Sequence, residues 1–101
     1  MAPIRNLLLA SLPRQAMQGL LPQLTPVDLA FGQELYQPGA PMRGVYFPLD
    51  AQVSLLTLAG SLALEVGMVG REGMVGIPLA LGVARSPMRA LVQGGGTALR
   101  M

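Results

Sequence analysis

The sequence contains no cysteine and no histidine, and these two absences exclude most catalytic and metal chemistry. Without cysteine, neither a disulfide framework nor a thiolate metal site can form. Without histidine, the chain lacks the commonest general base and the commonest transition-metal ligand. Its serine and threonine hydroxyls therefore have no imidazole to activate them. These absences predict a protein that is not an enzyme and that holds no metal ion.

Charge and long apolar runs are also scarce. Only 12% of the residues are charged, all the basic residues are arginine, and the net charge is +2. This charge is too weak and too dispersed for a nucleic-acid surface. The longest apolar run, residues 74–84, is interrupted by Gly76, Pro78 and Gly82, whereas a membrane span needs about 20 apolar residues. We therefore expect no membrane segment and a cytoplasmic location.

Apolar side chains, by contrast, are abundant. They make up 51% of the 101 residues, which argues against disorder, and the length favours a single domain. A chain this small and this apolar is expected to have part of its apolar surface covered, either by a partner subunit or by further chain.

Hydrophobic periodicity predicts a helical arm over residues 1–26, in which Pro13 separates two short helices. From Val27 the apolar residues alternate with a period of two, between turns that contain glycine or proline. This pattern is typical of a β-sandwich or barrel, so we expect residues 27–101 to form a β-barrel that is incomplete at its C-terminal end. A short helix is expected over 75–81. The strands are expected over 27–31, 34–36, 45–47, 53–58, 62–69, 88–93 and 97–101.

The candidate ligand-binding residues lie between Glu65 and Arg89, a stretch that five glycines punctuate. The backbone N–H groups of a glycine turn that opens a helix can bind an anion, and arginine suits phosphate because of its planar set of donors. The alternative is that the glycines only supply turns that need a positive φ, and that the arginines are solvated charges beside an apolar segment. The candidate ligand contacts are Gly76, Arg85, Ser86 and Arg89.

Two motifs in this sequence resemble those of a known family. They are Gly-Gln-Glu-Leu-Tyr-Gln-Pro-Gly over residues 32–39 and Val-Gly-Arg-Glu-Gly-Met-Val-Gly over residues 69–76. With the order of elements around them, they resemble the sensory domain of Crp/Fnr-type bacterial transcription regulators over nearly the whole chain. The resemblance implies a mainly β, jelly-roll-like barrel of the cyclic-nucleotide-binding type, with an N-terminal helical arm and a short cassette helix. It also implies a homodimeric parent protein that binds DNA through a C-terminal helix-turn-helix, which these residues do not include.

The resemblance further implies a phosphate-binding cassette, but this sequence matches only part of it. The cassette's opening glycine matches Gly76, and its arginine position falls near Arg85 or Ser86. The position of the family's ribose-binding glutamate carries Ile77 or Pro78, which cannot accept that hydrogen bond. We therefore expect a regulatory sensory domain that does not bind cyclic AMP in the usual way. We also expect no cofactor, with a cyclic nucleotide the disfavoured alternative. Two alternatives stay open, namely a stand-alone protein-interaction module and a non-functional fragment of a regulator.

Overall fold

The computed structural model describes residues 6–59 and 61–101, which form two antiparallel β-sheets and a short helical arm. The arm holds helix α1 (Leu7–Ala10), helix α2 (Arg14–Leu20) and a 3₁₀ turn (Leu21–Gln23). A third helix, α3, spans Ile77–Ala80. The strands are β1 (Thr25–Leu29), β2 (Glu34–Tyr36), β3 (Tyr46–Pro48), β4 (Gln52–Ala59), β5 (Leu62–Val69), β6 (Arg89–Gly94) and β7 (Gly96–Arg100).

The strands divide into a three-stranded sheet of order β1-β7-β3 and a four-stranded sheet of order β2-β6-β4-β5. Strands β6 and β7 are separated only by Gly95 and yet lie in different sheets, so the chain crosses between the sheets at this glycine. The architecture confirms the predicted mainly β, jelly-roll-like fold. The two sheets of the described residues form a sandwich.

The main hydrophobic core lies between the two sheets. It combines Leu29 and Ala98 from the first sheet with Val53, Ala90 and Val92 from the second. Along β6 the buried Ala90 and Val92 alternate with more exposed neighbours, as expected for a strand with one face against a core. In β6 the alternating positions therefore correspond to core positions.

A second, smaller core joins the helical arm to the sheet sandwich. Leu9 of α1 is buried against Val45 and Phe47, and Leu79 of α3 packs against both cores. Helices this short are marginal in isolation. Their stability therefore comes from this packing against β3 and α3.

Most of the predicted elements are confirmed, and those at 34–36 and 62–69 have the predicted bounds. The strand predicted over 27–31 is displaced, because the chain turns at Gly32, whose φ is +82°, and Gln33 donates to the Ala30 carbonyl at 3.0 Å. Phe31 is consequently 76% exposed on this turn. The predicted arm residues 1–5 and the hairpin residue Gly60 lie outside the described residues. The division into an arm over 1–26 and a barrel over 27–101 stays a prediction.

One apolar surface remains uncovered, along the edge strand β5. Leu62, Leu64, Val66 and Met68 are each between 47% and 65% exposed. A bulge at Val66 of β5, opposite Leu55 and Leu56 of β4, shifts the pairing of these two strands. Among the described residues, no helix has the length and apolar character needed to cross a membrane.

Candidate functional site

The cassette helix α3 begins at a glycine that no other residue could replace without strain. Gly76 caps the helix with a φ of +113°, a conformation that side chains with a Cβ rarely adopt. A Cβ at this position would lie 2.5 Å from Tyr36 Oη and 2.8 Å from Val45 Cγ1. The glycine is therefore required by both its backbone conformation and the close approach of β2 and β3.

The residue before this glycine is held firmly to the sheet. Val75 and Tyr46 exchange two backbone hydrogen bonds, of 2.8 Å and 2.9 Å. The hydroxyl of Tyr36 lies within hydrogen-bond distance of the carbonyls of Gly44 and Val75. Burial raises the pKa of Tyr36 well above its usual range, with the nearby Tyr46 adding to this and Arg100 opposing it. Tyr36 therefore remains a neutral phenol whose hydroxyl is directed at the backbone.

The end of the cassette lies against the turn that follows β2. Met42 N–H donates to the Ala84 carbonyl at 2.9 Å, and Ser86 N–H donates to the Ala40 carbonyl at 3.0 Å. The N–H of Gly39 in turn donates to the Ser86 carbonyl at 2.8 Å. These bonds fix residues 84–86 against residues 39–42, so that α3 stands over the four-stranded sheet.

A cavity of about 260 Å³ lies between α3, this turn and the four-stranded sheet, and we name it the cassette cavity. Strands β4 and β5 contribute Leu55 and Val69 to its wall, and α3 contributes Ile77 and Pro78. Three methionines complete most of the apolar lining, namely Met42, Met74 and Met88. The described residues that line this cavity include no charged side chain.

The structure brings only two of the four predicted ligand contacts to the cassette cavity. Gly76 and Ser86 line it, whereas Arg85 and Arg89 do not. Arg85 Nη1 instead donates to the Gly39 carbonyl at 2.8 Å in an exposed position. Arg89 Nε forms an ion pair of 2.5 Å with the carboxylate of Glu34 on the neighbouring strand. Both arginines thus have partners that sequence spacing alone does not reveal.

The hydroxyl of Ser86 is also occupied. It accepts from the Met88 N–H at 3.2 Å and donates to the Met88 carbonyl. Ser86 is buried, and these two hydrogen bonds to the Met88 backbone satisfy its hydroxyl. The two hydroxyls that line the cassette cavity, those of Ser86 and Tyr36, therefore both have backbone partners.

A second cavity, of about 390 Å³, has a different character. Residues 49–52 and 70–72 line it, including Asp50, Arg71 and Glu72. Asp50 accepts hydrogen bonds from the N–H and the hydroxyl of Thr97, at 2.5 Å and 2.8 Å. The Gly70 N–H donates to Glu72 at 3.0 Å, and this backbone bond, together with the residue's own N–H, lowers the pKa of that exposed carboxyl. We name this the polar cavity.

Sequence reasoning missed Asn6, which joins the helical arm to the glycine-rich turn. Its amide nitrogen donates to the carbonyls of Pro48 and Gly73, each at 2.8 Å, and its side-chain oxygen accepts from the Leu9 N–H at 3.0 Å. Leu7 N–H adds a bond of 2.6 Å to the Arg71 carbonyl. The only signal in the sequence is an asparagine directly before a leucine run, which is a common helix N-cap.

Several solved structures have a fold similar to that of this chain. Against the N-terminal domain of a transcriptional regulator from Streptomyces coelicolor, the TM-score is 0.79 at 20% identity, covering 96% of this chain and 70% of that one. A putative cAMP-binding regulatory protein from Silicibacter pomeroyi gives 0.80 at 23% identity, covering 96% of this chain and 45% of that one. The catabolite activator protein of Thermus thermophilus gives 0.75 at 16% identity, covering 93% of this chain and 45% of that one.

No family model matches the chain, and no curated protein matches it by sequence. The likeness to solved structures is nevertheless extensive, since each alignment covers at least 93% of the chain. It bears out the fold that the two sequence motifs imply. The chain therefore has the cyclic-nucleotide-binding-like fold found in transcriptional regulators.

Proposed function

We propose that this chain is the non-enzymatic sensory domain of a Crp/Fnr-type bacterial transcription regulator, that it works in the cytoplasm, and that it does not bind cyclic AMP in the usual way. One observation carries the proposal: the cassette has the shape of a ligand-binding segment, but the described residues that line its cavity include no charged side chain. The structural relatives support the regulatory assignment. One is the N-terminal domain of a transcriptional regulator, and another is a catabolite activator protein.

The cavity's chemistry argues against a cyclic nucleotide. A cyclic phosphate keeps a negative charge, and a charge removed from water without a partner is strongly disfavoured. The side chains of Ile77 and Pro78 supply no acceptor for a ribose hydroxyl. Arg85 and Arg89 are engaged with Gly39 and Glu34 rather than with the cavity.

The packing around α3 gives the domain a way to transmit a signal. Met74 lines the cassette cavity and also packs on the core of the helical arm, and Leu79 contacts both hydrophobic cores. A ligand that moves α3 would therefore change the packing of the arm. In a longer dimeric parent, such a change would bias the equilibrium between two states of the dimer, with DNA bound by a C-terminal helix-turn-helix. The exposed apolar strand β5 offers a surface for the partner subunit.

Calorimetric titration of the purified chain with cyclic AMP and cyclic GMP tests the ligand half of this proposal. We expect no saturable heat with either nucleotide. Saturable binding that disappears in Arg85→Ala but persists in Arg14→Ala, which removes an exposed arginine of α2, would show a working phosphate cassette. That result would overturn the proposed loss of nucleotide binding.

The coding sequence beyond the Met101 codon tests the regulatory half. We expect an in-frame long helix followed by a helix-turn-helix. A stop codon there would instead favour the second candidate function, a protein-interaction module, for which the exposed strand β5 is the supporting observation. In that case one specific partner should bind the chain, and Leu64→Lys on β5 should abolish the complex. A chain with a stop codon, no ligand and no partner would be a non-functional fragment.

A further inference from the structure

The walls of the cassette cavity come from several separate parts of the fold, and they form a pocket that is partly open to solvent. Leu55 and Val69 come from the sheet, Met42 from the turn after β2, and Ile77 from α3. Hydrogen bonds at 84–86 and at Val75 hold both ends of the cassette in place. The pocket is thus shaped by the tertiary structure before any ligand enters.

The pocket offers a ligand almost nothing polar. The Tyr36 hydroxyl is directed at backbone carbonyls, and the Ser86 hydroxyl is bonded to both polar groups of the Met88 backbone. No buried side-chain nitrogen or oxygen among the described residues lacks a hydrogen-bond partner. A polar ligand would therefore lose its hydration and gain few hydrogen bonds, whereas an apolar ligand would lose little.

The volume and the lining of the cassette cavity further restrict the class of ligand that fits it. An apolar protein cavity of roughly 150 Å³ holds one benzene molecule, so about 260 Å³ leaves room for a ring with a short substituent. Met42, Met74 and Met88 are unbranched and polarizable, and methionine sulfur makes favourable contacts with aromatic rings. These side chains can adjust to a ring without a change in the backbone.

We infer that the cassette cavity binds a small uncharged molecule with one substituted aromatic ring, and that this molecule is the signal of the domain. This inference rests on the proposed sensory function, because it names the ligand class of that same site. It assigns to the cavity a ligand with no phosphate, no ribose and no net charge.

The direct test is NMR of the chain labelled with ¹³C at its methionine methyl groups, with ethylbenzene as the probe. We expect saturable shifts of the Met42, Met74 and Met88 signals, and none of the Met101 signal. The matched charged ligand is 4-ethylbenzoate, which we expect to bind at least about tenfold more weakly, because its carboxylate finds no partner. Equal binding of the two ligands, or equal shifts at all methionines, would overturn the inference.

A variant that fills the cavity gives a second test. Leu55→Phe places a ring in the space, so the affinity for ethylbenzene should fall at least about tenfold as apolar contact area is lost. The matched control is Leu64→Phe, the same substitution at a position of β5 that is 50% exposed, which should leave binding unchanged. Equal effects of the two variants would place the probe elsewhere on the protein.

A variant that enlarges the cavity keeps the test independent of whether Leu55→Phe folds. Met88→Ala should raise the affinity for butylbenzene relative to ethylbenzene by at least about fourfold. This is the gain from burying one of the two additional methylene groups of butylbenzene. An unchanged ratio would contradict the inference. If ethylbenzene fails to bind and the gene does encode a helix-turn-helix, only the ligand class is wrong. If ethylbenzene binds and no helix-turn-helix follows, the regulatory proposal is wrong.

Discussion

The cassette cavity and the polar cavity are both lined by parts of one short glycine-rich stretch, residues 69–76, and they differ sharply in charge. The polar cavity is lined by Asp50, Arg71 and Glu72, whereas the described lining of the cassette cavity is uncharged. Only residues 73–75 separate Glu72 from Gly76. The local sequence supplies Arg71 and Glu72 to the polar cavity, whereas the fold adds Asp50 from the turn before β4.

Arg85 and Arg89 are both directed away from the cassette cavity. Arg89 is directed along the sheet to Glu34, and Arg85 is directed to the turn at Gly39. The two arginines that closely follow α3 therefore make structural contacts, with the turn and with the neighbouring strand. The charged groups at the other cavity are near the surface, where water screens them.

The largest effect is expected at the start of the cassette, from Gly76→Ala. The alanine backbone would have to keep a strained φ of +113°, and its Cβ would press on Tyr36 Oη and Val45 Cγ1. We expect the free energy of unfolding to fall by roughly 3 to 5 kcal/mol, from strain and overpacking together. Urea denaturation followed by circular dichroism measures this change.

The matched control for this substitution is Gly82→Ala. Gly82 also has a positive φ, of +91°, but a Cβ there meets nothing within 4 Å. Only the backbone strain remains, and we expect a loss of about 1 to 2 kcal/mol. Equal losses at Gly76 and Gly82 would mean that the close approach of β2 and β3 to the cassette contributes nothing.

A smaller effect is expected beside the polar cavity, from Asn6→Ala. The substitution removes the N-cap of α1 and leaves the carbonyls of Pro48 and Gly73 without this donor. We expect a loss of about 2 to 4 kcal/mol in the free energy of unfolding. Hydrogen exchange should lose protection at Gly73, whose N–H closes the turn to the Gly70 carbonyl, more than at Gly82 in the cassette.

The control for Asn6 is Ser11→Ala at the other end of the same helix. Ser11 donates to the Leu8 carbonyl at an exposed position, so its loss should change the free energy of unfolding by no more than about 0.5 kcal/mol. If protection falls equally at the turn and in the cassette, the two ends of the stretch are one cooperative unit, and the contrast between the cavities is weaker than the structure indicates.

The smallest effect is expected from Glu72→Gln, and it depends on pH. Hydrogen bonds from the Gly70 N–H and from the residue's own N–H lower the pKa of Glu72 in the folded state, so ionised Glu72 stabilises the fold above the pKa of the unfolded chain. That contribution is lost as the pH falls through the folded-state pKa. Because Glu72 is exposed, the contribution is small.

Unfolding free energies of the wild type and Glu72→Gln, measured from neutral to acidic pH, test this. We expect the wild type to be slightly more stable at neutral pH and the difference to vanish in acid, where the glutamate is protonated. A difference that stays constant across this range would show that the hydrogen bond to Gly70 does not favour the charged form.

Local features of the fold were predictable because they depend on neighbours in sequence. The turn at 37–41 follows from proline and glycine chemistry, and β5 follows from strict alternation over residues 62–69. The bounds of the first strand, by contrast, could not be predicted from the alternation alone. Phe31 continues the apolar alternation of β1, but the φ of +82° at Gly32 turns the chain before it can pair.

The candidate site was predictable only in part, for the same reason. The position of Gly76 follows from its motif, and Ser86 also lines the cavity, whereas the role of either residue in ligand binding stays a prediction. The partners of Arg85 and Arg89 are 46 and 55 residues away along the chain, so no spacing rule could identify them. Two of the three side-chain hydrogen bonds of Asn6 likewise reach across to β3 and the glycine turn.

The sequence by itself determined the alternating strands, the glycine turn, and the absence of histidine and cysteine chemistry, because these depend on residue type and local backbone preference. Tertiary structure alone decided that β6 and β7, one residue apart, enter different sheets. It also decided that both arginines are held outside the cassette cavity while three methionines enter its wall. Such outcomes depend on which distant groups pack together, since a side chain's direction is set by the partner that satisfies its charge or covers its apolar surface.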